Sequence, residues 1–279
     1  MKKHKILITN DDGINSPGLK AAAEAVIDLG EVIVIAPTHQ QTGTGRGLTG
    51  DKESKLQPTK YMIKGSSLQA YHCNCSPALI VRHSLKTIFF NEQHSLLISG
   101  INYGENLGSS ITCSGTVGAA LEAASVGIPS IAISKQTDIS THHKYSEQNW
   151  ESTAHFLKYF SNILLNGKIM KDVDALKIDV PENAIKKTDW KLTTVAKCGY
   201  YFKEFENPNI DTQISEGKTK IIINENDLDI NSDIYTFAIQ KLVSVAPISL
   251  DLSSRVELKK LRSLYENVQN YNQTFQRTP

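Results

Sequence analysis

The chain has 279 residues, enough to bury a full α/β core with a sizeable appendage, so one main domain is expected rather than two independent ones. Its 30 basic and 29 acidic residues leave a formal net charge of +1, which argues against a general binder of nucleic-acid polymers or membrane surfaces. No stretch reaches the ~20 apolar residues of a membrane span, the apolar run after the basic N-terminus stops at Asn10, and Cys73, Cys75, Cys113 and Cys198 form no Cys-X-X-Cys; a cytoplasmic protein with reduced thiols is expected.

Lys5 to Thr9 reads as a short buried strand that ends abruptly in Asn10-Asp11-Asp12-Gly13. Ser16-Pro17-Gly18 opens a helix, with apolar positions Leu19, Ala22, Ala23, Val26 and Ile27 at helical spacing and Gly30 closing it. A strand from Glu31 to Ala36 follows at once. Strand, helix and strand at this spacing form a right-handed βαβ unit and hence a parallel sheet. Asp11 and Asp12 then lie at the carboxyl end of a strand, where open α/β sheets bind ligands. Two adjacent carboxylates repel unless a cation or proton intervenes, and a divalent ion with hard oxygen ligands is the simplest remedy, although Asp-Asp-Gly also suits a solvated turn.

The next turn, residues 37 to 47, carries three glycines and three threonines and leaves the same edge of the sheet. Residues 48 to 72 read as short strands, Ser76-Pro77 starts a second helix that ends before Asn91, and Leu96 to Ser99 is the next buried strand. It runs into the longest polar, glycine-rich loop, Gly100 to Thr116. An alanine-rich helix from Thr116 to Val126 makes Ser114, Gly115 and Thr116 a helix N-terminus, suited to a phosphate or to ordinary capping. Strands are expected at Ser130 to Ser134 and Ala175 to Pro181, with a helix over 146–165 between them. From Lys186 to Ile239 the polar sequence, with β-rich patches at Trp190 to Ala196 and Lys220 to Ile223, reads as a hairpin arm whose Trp190, Tyr200, Tyr201, Phe202 and Phe205 lie outside the core. Val243 to Ala246 returns to the core, Ser254 to Gln269 forms a C-terminal helix, and a mobile tail follows Asn270. The division is a Rossmann-like catalytic core over 1–184, a β-rich arm over 185–240, and a returning strand with terminal helix over 241–279.

Three loops together carry a resemblance: Asn10-Asp11-Asp12-Gly13 with Pro17-Gly18; Ala36-Pro37 with Thr42-Gly43 and Leu48-Thr49; and Ser99-Gly100-Ile101-Asn102, Gly104, Asn106, Leu107, Gly108 and Ser114-Gly115-Thr116-Val117. In order and spacing the chain resembles the SurE (survival protein E) family of metal-dependent 5′/3′-nucleotidases. After Pro181 only Val243 to Ile248 with Asp251-Leu252 resembles the family's closing segment.

The resemblance implies an α/β fold with a Rossmann-like, mostly parallel sheet flanked by helices, and a C-terminal hairpin arm and helix used in oligomerisation. It implies one divalent ion per subunit, Mg²⁺ or Mn²⁺, held by Asp11, Asp12, Thr42 and Asn102, where Thr42 replaces the family's usual Ser. Asp11 and Asp12 become the catalytic pair, and Asn106, Ser114, Gly115 and Thr116 the phosphate side. Arg46 either pairs with a phosphate through its guanidinium fork or is a solvated loop side chain. The substrates implied are nucleoside monophosphates, and the assembly a homodimer or homotetramer. Cys75-Ser76-Pro77-Ala78-Leu79 departs from the family's Thr-Pro-Ala-Asp-Cys type of helix start and leaves base preference open. No motif places a histidine to protonate the leaving alkoxide. A haloacid-dehalogenase-like phosphatase is disfavoured because Asn10 occupies the position of its first aspartate. A non-catalytic nucleotide- or sugar-phosphate-binding Rossmann-like protein is the alternative, against which the paired aspartates count.

Overall fold

The computed structural model describes residues 4–142, 144–167 and 169–275. In chain order the elements are β1 (Lys5–Thr9), α1 (Pro17–Val26), β2 (Glu31–Pro37), β3 (Gln57–Pro58), β4 (Tyr61–Ile63), β5 (Ser66–Cys73), α2 (Pro77–Lys86) and β6 (Leu96–Tyr103). They continue as α3 (Gly115–Ala124), β7 (Ser130–Lys135), α4 (Glu151–Leu165), β8 (Ala175–Val180), β9 (Trp190–Leu192), β10 (Tyr201–Glu204), β11 (Lys218–Ile221), β12 (Val243–Ile248) and α5 (Leu258–Phe275).

The main sheet runs β3-β5-β2-β1-β6-β7-β8-β12-β9, with β4 on β5. Strands β5, β2, β1, β6, β7 and β8 are parallel, and β12 returns antiparallel to β8. Side chains alternate across this sheet, so β1 serves two cores at once. Ile6 and Ile8 pack with Leu19 of α1 and Phe156 and Phe160 of α4, whereas Leu7 packs with Ile80 of α2 and Ala120 of α3. Burial of both faces explains the unbroken Ile and Leu run, and it puts the carboxyl ends of β1, β2 and β6 side by side.

The structure revises several local expectations. Strand β6 does not stop at Ser99 but continues to Tyr103, with a register shift against β7 between Ser99 and Asn102 and a cis Gly100–Ile101 peptide. Helix α4 begins at Glu151 rather than 146. The preceding segment is tied to the sheet edge instead: the Tyr145 hydroxyl donates to the Asp12 carbonyl (2.6 Å) and the Tyr103 hydroxyl to the Ser146 carbonyl (2.9 Å).

Trp190–Leu192 joins the main sheet as β9, parallel to β12, so the arm hairpin itself is β10 against β11. Tyr200 is not outside the core: it is buried with Leu107, Ile234 and Phe237 in a third apolar cluster beneath the arm. Helix α5 extends to Phe275, past the expected end at Gln269, and the mobility expected of the tail's last residues, 276–279, lies outside the described residues. Among the described residues no helix is long and apolar enough to cross a membrane.

Candidate active site

The turn after β1 is clamped by Asn10, whose side chain accepts the Gly13 N–H and donates to the Gly13 carbonyl, both at 3.1 Å. This local closure turns Asp11 and Asp12 inward, where they retain only 5% and 2% exposure. Burial holds both carboxyls above the usual carboxylate range, and the charge of Asp11 pushes Asp12 further up. Hydrogen bonds oppose the shift. Thr116 Oγ1 donates to Asp11 Oδ1 (2.5 Å), and Asp12 accepts from the Tyr103 N–H (3.3 Å) and the Gln40 amide (3.2 Å). Among the described residues no cationic side chain pairs with either aspartate.

Helix α3 starts against this pair. Ser114 caps it by accepting the Val117 N–H (3.1 Å), and a Cβ added to Gly115 would stand 2.7 Å from Asp11 Cβ. Only glycine lets the helix N-terminus approach the carboxylate so closely. A cleft of about 410 Å³ opens here, bordered by Asp11, Thr42, Asn102, Asn106 and Ser114. Asn102 donates its amide nitrogen to the Tyr103 and Gly104 carbonyls (3.2 and 2.6 Å), which leaves its amide oxygen as the free donor atom for a cation.

Two of the expected phosphate residues act differently. Thr116 is fully buried and spends its hydroxyl on Asp11. Arg46 does not border the cleft: its Nε lies 2.9 Å from Glu122 Oε2, and Arg82 holds Oε1 of the same carboxylate at 2.5 Å. The guanidinium thereby anchors the glycine loop to α3.

Several cleft residues escaped the sequence reading. Glu105, His142, Tyr201, Lys203 and Thr219 all border it, His142 from the segment after β7 and the last three from the arm hairpin. Glu105 carried a visible signal, a carboxylate inside the Gly104-Glu-Asn106 loop, whereas the arm residues carried none. Beneath that loop lies a buried ionic cluster. Lys177 Nζ contacts Asp179 Oδ2 (2.5 Å), Asp233 Oδ2 (3.1 Å) and the Asn106 carbonyl (2.8 Å), while Asp179 accepts the Asn106 N–H (2.7 Å) and Asp233 the Gly108 N–H (3.1 Å). These bonds fix both ends of the Asn106 to Gly108 backbone, and the Asn106 amide then reaches Ser134 Oγ (2.8 Å).

Asp11, Thr42 and Asn102 thus border one cleft beside the buried Asp12, with no group of three His, Cys, Asp or Glu among the described residues. Carboxylate, amide and hydroxyl oxygens around two carboxylates that have no cationic partner among the described residues have the chemistry to suit a hard divalent cation.

The family described as Survival protein SurE matches residues 6–201. The 5′-nucleotidase SurE of Thermococcus gammatolerans is 33% identical over 265 residues, covering 93% of this chain and 95% of that one. The 5′-nucleotidase SurE of Thermococcus kodakarensis is 34% identical over 265 residues, covering 93% and 98%. The crystal structure of the SurE protein from Aquifex aeolicus superposes with a TM-score of 0.71 at 28% identity, covering 94% of this chain and 99% of that one. With the fold, the loops and these matches in agreement, the chain belongs to the survival protein SurE family.

Proposed function

We infer that this chain hydrolyses nucleoside 5′-monophosphates to nucleoside and phosphate, as the names of its relatives say of those proteins. The observation that carries the reading is the buried Asp11-Asp12 pair packed against the N-terminus of α3, with Asp11 and Ser114 bordering a cleft large enough for a nucleotide. The non-catalytic alternative does not account for two buried carboxylates that have no cationic partner among the described residues.

In this reading Asp11, Asp12, Asn102 and Thr42 hold one divalent ion per subunit, and 3′-nucleotides are a second substrate class. When bound, such an ion supplies charge neutralisation to phosphoryl oxygens and makes water a better nucleophile. The aspartates orient the attacking water. The Gly115 amide at the start of α3, with the Ser114 hydroxyl and the Asn106 amide, stabilises the equatorial oxygens, where charge builds during in-line displacement. Thr116 holds Asp11 in place.

Assembly as a homodimer or homotetramer is supported by the exposed Leu258, Leu264 and Tyr265 of α5 and Phe202 on the arm. A monomer by light scattering at micromolar concentration would count against it. Four free cysteines support a reducing, cytoplasmic setting. The decisive assay is phosphate release from a panel of nucleoside monophosphates with Mg²⁺ or Mn²⁺. Activity that survives EDTA and metal-free dialysis would defeat the metal-dependent reading.

A further inference from the structure

Glu105 borders the cleft yet is only 3% exposed. Its Oε1 accepts the Tyr200 hydroxyl at 2.8 Å. Tyr201 approaches the same carboxyl without closing a hydrogen bond of good geometry, so Oε2 and the Tyr201 hydroxyl are both unsatisfied among the described residues. Burial pushes the carboxyl up to about 7, the nearby Asp179 adds to the rise, and the Tyr200 and Tyr201 hydroxyls oppose it. Lys177 is committed to Asp179 and Asp233, so its ammonium is not available to ionise Glu105. Asp11, Cys113, His142 and Lys203 are further titratable side chains bordering the cleft, and Lys203 is engaged with the Gly217 carbonyl and Thr219 across the hairpin.

An ester of an ordinary alcohol leaves poorly as alkoxide, so the reaction inferred above requires a proton source at the leaving oxygen. Resting on that reading, we propose that Glu105 is the general acid that protonates the leaving oxygen of the nucleotide. Because Tyr200 occupies Oε1, the proton resides on Oε2, which Tyr201 screens from bulk water. As the P–O bond breaks, its electron pair stays on the leaving oxygen, the Oε2 proton transfers to it, and Glu105 is left as carboxylate. Water then returns the proton. Buried protonated carboxyls serve the same purpose in other hydrolases.

The test compares two esters on the metal-loaded enzyme: a nucleoside 5′-monophosphate, and p-nitrophenyl phosphate, whose phenolate leaves without help. Glu105→Gln, which preserves shape, should lower kcat for the nucleotide by about 10²- to 10³-fold, with a loss at least tenfold smaller for the aryl ester. In the unmodified enzyme the ratio of the two kcat values, nucleotide over aryl ester, should fall as pH rises through about 7. Tyr200→Phe, which removes a bond favouring the carboxylate, should move that fall to higher pH. Equal losses on both esters, or a pH-independent ratio, would overturn the assignment. A native enzyme inactive on both esters would instead overturn the phosphatase reading itself.

Discussion

The Thr116 hydroxyl donates to Asp11 Oδ1 at 2.5 Å, so the helix that offers its N-terminus to the cleft also orients the first carboxylate. A residue expected on the phosphate side is thereby the support of the cation side. Thr116→Val keeps the shape and removes the donor. Such supports typically contribute 10- to 100-fold to ion affinity, so calorimetric titration of Mn²⁺ should show a loss of about that size. Unchanged affinity would mean that Asp11 is held by other contacts.

The two aspartates also predict a pH signature in metal-free protein. In the unfolded chain Asp and Glu lose their protons near 3.9 and 4.3, whereas folded Asp11, Asp12 and Glu105 keep theirs to higher pH. The folded state then binds more protons in that interval, and stability falls as pH rises from about 4 towards 7. Melting temperatures measured across this interval should decline without metal. At neutral pH Mg²⁺ or Mn²⁺ should raise them, and Asp12→Asn should raise them even without metal. A flat profile that metal does not change contradicts the account.

Arg46 bears on the opposite side of the question. With its Nε on Glu122, Arg46→Ala should leave kcat within about threefold of the parent, under ~0.7 kcal/mol. Its partner keeps Arg82, and Arg46 is itself more than a third exposed, so the stability loss should stay below about 1 kcal/mol. Steady-state kinetics decide: a 10- to 100-fold fall in kcat would return Arg46 to the phosphate.

The buried Lys177, Asp179 and Asp233 cluster should behave as a structural unit with a catalytic consequence. Lys177→Met leaves two carboxylates buried without their cation, which costs on the order of 3–5 kcal/mol in urea unfolding. Because the same ammonium holds the Asn106 carbonyl, KM for the nucleotide should rise as well. A loss under about 1 kcal/mol would show that the carboxyls are neutral in the folded protein.

Strand β1, helix α1 and strand β2 were legible because the apolar period and the Ser-Pro opening agree locally and a parallel βαβ unit has one handedness; Gly30, read as the helix closure, instead lies past the end of α1 at Val26, where a Cβ would stand 2.4 Å from the His4 carbonyl oxygen. The Asp11-Asp12 turn was legible for the same reason: its residues act at the end of the strand that carries them. What tertiary structure alone decided is which atoms meet across long separations. Thr116 and Asp11 are 105 positions apart and Tyr200 and Glu105 are 95 apart. Arg46 was placed in the right loop by sequence, but its direction depends on Glu122 of α3, 76 positions away. Sequence patterns report the period of a strand or helix and the chemistry of a turn. Side-chain direction in a cleft depends on packing among elements that share no local pattern, as when the arm hairpin sets Tyr201 beside Glu105 on the loop that leaves β6.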